Sequence, residues 1–248
     1  MIEQRTYRKQ FSQERFQSFV VNYKETDLWI GIDPASFKKE MQEAAFSKVK
    51  ELRHILEHYL MSDPVFGKTF DPHQVQPNAP VIVTCMADAA AVAGVGPMAS
   101  VAGAFSEAVG RYLIEKFGIR ELVAENGGDI FLKVEKPILL SVYAGNSVLS
   151  EKIAIEVTAS ETPLGVCTSS GTVGPSISLG KADAVMMVCR NTAMADAFAT
   201  ALANRVKTKE DVQQVINLVE QFPQILSAVI ICDDQIGIRG KFEMKFIR

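Results

Sequence analysis

The sequence has little of several residue types on which readily recognised chemistry depends. Among its 248 residues there are three histidines, and none follows His73. The four cysteines form no Cys-x-x-Cys pair, and no His-Glu-x-x-His is present. The common zinc and dithiol signatures are therefore excluded. Any chemistry beyond residue 73 must proceed without a histidine base from that part of the chain.

Charge and hydrophobicity are moderate. A net charge of -3 and a pI near 5.7 leave no basic footprint for nucleic acid. No apolar run reaches the roughly 18 residues typical of a membrane span. The beginning, MIEQRTYRKQF, lacks the apolar segment of a secretory signal. We therefore expect a cytoplasmic protein that binds neither nucleic acid nor membrane, folded as one domain over residues 1–248.

The order of predicted elements favours an α+β fold. Alternating blocks within residues 4–33 predict two strands, helical spacing predicts a helix over 35–60, and four prolines predict a loop over 62–80. Further strands are predicted at 121–125, 129–134, 138–144, 152–157, 165–169 and 182–190, with helices at 99–117, 192–206 and 209–221 and a final strand meander. Strands in runs favour an antiparallel sheet over a doubly wound one.

The segment TAMADAFATALAN, residues 192–204, places a carboxylate and a hydroxyl on one helix face. Asp196 and Thr200 are four residues apart, and small alanines surround them. Mg2+ prefers oxygen ligands and takes one or two carboxylates together with phosphates or water. The pattern is also typical of an aspartate that caps or solvates an ordinary packed helix.

A second motif is Asn126-Gly127-Gly128-Asp129, between two predicted strands. The glycines permit positive φ and close backbone approach, and the two polar side chains can bind a ligand. Asn-Gly is also a strong hairpin signal. The two interpretations are compatible, because a turn can present ligand groups.

The third motif follows a predicted strand and contains Thr168, Ser169, Ser170 and Gly171, continuing to Pro175. Its hydroxyls and backbone N–H groups suit a phosphate. The Gly-Lys-Ser/Thr of a Walker loop is absent. A polar surface loop without a ligand remains the alternative.

In this order, the three motifs resemble the ApbE superfamily of flavin-binding proteins. The resemblance covers about residues 95–205 and includes the small-residue helix PMASVAGAFSEAVG. It is strongest to the uncharacterised ApbE-like proteins of anaerobic bacteria and archaea. The resemblance implies a T-fold-like α+β domain, mainly antiparallel sheet covered by helices. It also implies Mg2+ on Asp196 and Thr200, with FAD held by residues 126–129 and 168–171.

The best-known members are FAD:protein FMN transferases, which cleave the FAD pyrophosphate and attach FMN to a threonine of a target protein. This chain departs from their pattern twice. It has no histidine between residues 172 and 191, and Ala102 or Gly103 stands where they carry a lysine. Lys181 and Asp183 are the candidates for a substitute group.

Three functions therefore follow from the sequence. The chain binds a flavin or another nucleotide at a Mg2+-assisted diphosphate site without FMN transfer. Alternatively, it is a Mg2+-dependent flavin transferase or FAD pyrophosphatase. Its third possible role is that of an accessory protein, with a protein partner, in anaerobic redox or sulfur metabolism, for which Cys167 would be the candidate thiol.

Overall fold

The computed structural model describes residues 15–171 and 179–247. Along the chain, the described residues form helices and strands with these bounds: β1 Gln17–Tyr23, β2 Thr26–Ile32, α1 Glu40–Ser62, α2 Val81–Ala93, α3 Val101–Phe117, β3 Leu122–Asn126, β4 Asp129–Lys133, β5 Ile138–Ser141, β6 Ile153–Val157, β7 Leu164–Ser169, β8 Ala184–Cys189, α4 Thr192–Ala203, α5 Asp211–Leu218, β9 Ile225–Cys232, β10 Gln235–Gly240 and β11 Met244–Phe246. Short 3-10 turns at Pro97–Ser100 and Val219–Gln221 adjoin α3 and α5.

Eight strands form one antiparallel sheet in the order β1-β2-β3-β4-β7-β8-β9-β10. A second sheet has the order β11-β6-β5. The α+β prediction with antiparallel sheet and covering helices is thus confirmed. β4 and β7 are neighbours although β5 and β6 lie between them in sequence, because those two strands turn away to form the second sheet.

Both faces of the large sheet are buried, and side-chain alternation separates them. On one face, Ala124, Phe131 and Cys167 pack under the helices. On the other, Val123, Leu132 and Val166 pack against the second sheet. α3 lies on β3 and β4, and α4 lies on β7 and β8. The helices that carry the predicted motifs therefore share one face.

The structure corrects several predicted boundaries. The first long helix begins at Glu40 instead of residue 35, because the Asp33 carboxylate accepts the Ser36 N–H and holds a turn there. Residues 81–93, for which the sequence pattern predicts no element, form α2. The final meander is divided, since β11 pairs with β6 and not with β10. Part of the first predicted strand block lies outside the described residues.

Among the described residues, no single helix is long and apolar enough to cross a membrane. Only α2 and the Pro97–Phe117 segment together meet the criteria of length and composition, and they are bent by 103° at their junction.

Candidate functional site

The Asn126–Asp129 motif is a tight turn between β3 and β4. Its glycines take φ values of 69° and 102°, which a two-residue hairpin loop of this kind requires. The Gly128 N–H donates to the buried Glu125 carboxylate at 2.7 Å. Across the turn, Asn126 pairs with Asp129, and the Asn126 amide donates to the Ala102 carbonyl at 3.2 Å. The hairpin prediction is confirmed, and the turn touches the start of α3.

Asp196 extends from α4 to the first turn of α3. Its Oδ2 accepts the Gly103 N–H at 2.8 Å, one of the amides that the first helical turn leaves without a partner. A Cβ on Gly103 would lie 2.5 Å from the Thr192 carbonyl oxygen and 2.9 Å from the Asp196 Cβ. The glycine therefore lets the two helices approach closely. Asp196 caps a helix, as one interpretation of the sequence held, but the helix is α3 and not its own.

A second carboxylate lies beside Asp196. Asp129 and Asp196 are each 8% exposed and are called the acid pair below. Burial and the charge of Asp196 raise the pKa of Asp129 well above its usual range. Burial likewise raises the pKa of Asp196 to about 7, although the Gly103 and Ala102 amides oppose this. Two ionised carboxylates are therefore disfavoured at this place unless a positive charge joins them.

Cys167 is the third ionisable group in this place. It faces Asp129 across the β4–β7 ladder, and its thiol donates to the Thr192 carbonyl oxygen at 3.4 Å. Its exposure is 0%. Burial raises the pKa of the Cys167 thiol, and the acid pair raises it further. This thiol is thus buried in the folded protein and lacks the exposure and the lowered pKa that are typical of a reactive cysteine.

Thr200 follows Asp196 by one turn of α4 and is half-buried. Its hydroxyl makes no hydrogen bond within the described residues, and no ion pair there involves either member of the acid pair. No group of three or more His, Cys, Asp or Glu side chains in residues 15–171 and 179–247 is arranged to hold a metal. A cation at this place would need hydroxyl, backbone or ligand oxygens to complete its shell.

The predicted phosphate loop begins at the same end of the sheet. Thr168 and Ser169 end β7, and a Cβ on Gly128 would lie 3.5 Å from the Thr168 carbonyl oxygen. Ser170 is half-buried, whereas Gly171 is exposed and its N–H donates to the Ala182 carbonyl at 2.8 Å. Residues 172–175 of this motif lie outside the described residues. The turn, the start of the loop and Asp196 are thus brought together, and Gly171 lies at their margin.

Sequence reasoning assigned no role to two further carboxylates near this place, the buried Glu125 under the hairpin and the half-buried Glu107 on α3. Glu107 accepts the Thr192 N–H at 2.6 Å. Neither belongs to a recognisable spacing pattern. Glu125 accepts a backbone N–H within its own turn, and Glu107 accepts one from a residue far away in the sequence. The small residues of PMASVAGAFSEAVG were the available signal for close helix packing at Gly103.

The chain is similar to known proteins over most of its length. A family model described as AbpE of bacteria matches residues 8–233. The chain is 36% identical over 223 residues to a UPF0280 protein from Methanocaldococcus jannaschii, covering 88% of each. It is 40% identical over 201 residues to one from Methanosarcina barkeri, covering 80% of this chain and 78% of the relative.

The chain belongs to the ApbE-like superfamily. Solved ApbE structures share its fold at low sequence identity. The flavin transferase ApbE from Vibrio cholerae matches with a TM-score of 0.53 and 13% identity, covering 90% of this chain and 96% of that one. The ApbE protein of Thermotoga maritima matches with a TM-score of 0.56 and 12% identity, covering 91% and 97%. The recognition made from three short motifs is therefore confirmed over nearly the whole ApbE-like chain.

Proposed function

We propose that this ApbE-like protein binds a flavin nucleotide together with a divalent cation at the acid pair. The observation that supports this most is the burial of Asp129 and Asp196 side by side without a cationic partner in the described residues. Buried charges in proteins are paired or bind metals. A divalent cation would allow both carboxylates to be ionised at neutral pH.

The residues present fit Mg2+ as the cation. Asp196 and Thr200 offer a carboxylate and, within the described residues, an unpartnered hydroxyl one helical turn apart. Mg2+ is commonly held by one or two carboxylates with phosphate and water oxygens as further ligands. When bound, the cation would neutralise a diphosphate and polarise its leaving phosphate.

The nucleotide would be held by the two polar segments around the acid pair. Thr168, Ser169, Ser170 and Gly171 offer hydroxyls and amides for phosphate oxygens. Asn126 and Asp129 orient the ligand from the hairpin, with Gly127 and Gly128 allowing close backbone approach. The name of the Vibrio cholerae relative, a flavin transferase, supports flavin as the nucleotide.

Binding without FMN transfer is the form that the sequence favours. An acceptor hydroxyl is usually activated by a positioned base, and the chain has no histidine between residues 172 and 191. Asp183 is committed elsewhere, since its carboxylate accepts the Asp233 N–H at 2.7 Å. A second candidate, a Mg2+-dependent FAD pyrophosphatase or transferase, is favoured by the retained acid pair. A protein partner would then be the acceptor.

The test is a titration of the purified protein with FAD, with and without Mg2+, followed by flavin fluorescence. We expect binding that requires Mg2+ and is lost in Asp196→Ala, with the exposed Asp88→Ala as the matched control. Absence of binding under both conditions would refute the proposal. Chromatography for AMP and FMN after incubation separates the binding function from the pyrophosphatase.

A further inference from the structure

α3 and α4 cap each other at their first turns. Asp196 of α4 accepts the Gly103 N–H of α3 at 2.8 Å, and Glu107 of α3 accepts the Thr192 N–H of α4 at 2.6 Å. Gly103 and Glu107 are four residues apart on α3, as Thr192 and Asp196 are on α4. Each pair therefore lies along one face of its helix. The two hydrogen bonds therefore lie one helical turn apart along the contact between the helices.

The hydrogen bond between Glu107 and Thr192 is held in one geometry by further contacts. Its carboxylate is held from the other side by Arg111, whose Nε donates to Oε1 at 2.7 Å. The Arg111 guanidinium lies 5.3 Å from the centre of the Phe131 ring, on the sheet beneath. The Glu107 side chain is 12% exposed, so solvent screens it little. A carboxylate at a helix N-terminus is further stabilised by the helix dipole.

Thr192 is the residue through which this contact reaches the acid pair. Its N–H binds Glu107, its carbonyl accepts the Cys167 thiol, and a Cβ on Gly165 would lie 2.4 Å from its Cα. With β7 packed so closely, α4 cannot slide or rotate without breaking these contacts. The direction in which Asp196 leaves α4 is fixed accordingly.

We infer that Glu107 is a positioning residue for the cation site, acting through α4 on Asp196. This inference rests on the proposed cation site. Glu107 touches neither member of the acid pair in the described residues; it orients the helix that carries one of them. Groups that orient metal ligands typically change metal affinity 10–100-fold when removed, and we expect about tenfold weaker cation binding without the Glu107 acceptor.

The test uses Mn2+ alone as the probe and measures its binding by electron paramagnetic resonance. Glu107→Ala should bind Mn2+ about tenfold more weakly than the parent protein. Glu107→Gln keeps an oxygen acceptor for Thr192 and should bind within about twofold of the parent. Glu115→Ala, which removes an exposed charge from the same helix, is the control for net charge.

Thr192→Pro provides a second variant that removes the same hydrogen bond from the other side. Proline is tolerated at the first position of a helix, and Asn191 before it is already extended. It should lose affinity at least as much as Glu107→Ala, because the proline ring also takes the place of the N–H against the Glu107 carboxylate. Unchanged affinity in folded Thr192→Pro would overturn the inference even where Glu107→Ala fails to fold. If folded variants that lack the hydrogen bond between Glu107 and Thr192 bind Mn2+ like the parent, the positioning role of Glu107 is overturned and the proposed cation site is not. A parent protein that binds no Mn2+ would overturn the proposed cation site as well.

Discussion

Replacing Asp196 with asparagine should remove the pH-dependent loss of stability that the burial of Asp196 causes. Burial raises the pKa of Asp196 from 3.8 to about 7 in the folded protein. The folded state therefore keeps a proton that the unfolded chain releases, and the free energy of unfolding falls as the pH rises from about 4 to about 7. A pKa difference of about three (7 − 3.8) corresponds to on the order of 4 kcal/mol.

The measurement is urea-induced unfolding in the presence of a chelator, at about pH 5 and about pH 8, followed by circular dichroism. Asparagine keeps an oxygen that can accept the Gly103 N–H, so the cap on α3 survives. Other groups also titrate, and the quantity to compare is therefore the change between the two pH values in each variant. The parent should lose about 2–3 kcal/mol more than Asp196→Asn, because about two pH units of the shift lie between the two measurements. The exposed Asp88→Asn should lose as much as the parent. Equal losses in the parent and in Asp196→Asn would refute the reasoning.

Three further predictions concern the same helices and strands. Gly103→Ala should lower the free energy of unfolding by about 1–3 kcal/mol and weaken Mn2+ binding, because its Cβ would meet Thr192 and Asp196. Denaturation and titration followed by electron paramagnetic resonance measure the two effects, and unchanged values would contradict the close packing. In native protein treated with an aromatic disulfide, the half-buried Cys85 should react before the buried Cys167. Peptide mass spectrometry can test this order, and early labelling of Cys167 would show that this end of the sheet opens. Mg2+ should raise the melting temperature more at about pH 8 than at about pH 5 in differential scanning fluorimetry, since the cation competes with the protons of the acid pair; a pH-independent rise would place the cation elsewhere.

The sequence pattern was sufficient for the elements whose periodicity is strong. The antiparallel character of the sheet followed from runs of strands, and the hairpin followed from Asn126 and Gly127. The beginning of α1 did not follow, because Asp33 forms a local turn where the spacing predicts the helix to begin, at residue 35. α2 escaped prediction because its alanine-rich sequence carries little amphipathic contrast.

The site could be predicted only in part from local sequence. Asp196 and Asp129 each belong to a motif that the sequence singles out. Their proximity depends on β4–β7 pairing and on the close helix approach at Gly103, and a short stretch of sequence predicts neither. Cys167, the candidate thiol of the accessory-protein alternative, is buried, because strand alternation turns it inward beside Asp129. Gly171→Val would not be a clean test of ligand entry, because its Cβ would lie 2.3 Å from the Gly180 carbonyl oxygen and would disturb the loop itself.

The departure of β5 and β6 into a second sheet has a kinetic consequence. Asp129 and Cys167 become neighbours only when the chain closes the long loop between β4 and β7, and Asp196 joins them after a further strand and connection. Contacts between residues distant in sequence form late, since loop closure is costly in entropy. The carboxylates of the acid pair would therefore not yet be close together in the folding transition state, and a cation would not bind there. Bound cation should slow unfolding and leave the refolding rate unchanged, because it stabilises the folded state and not the transition state.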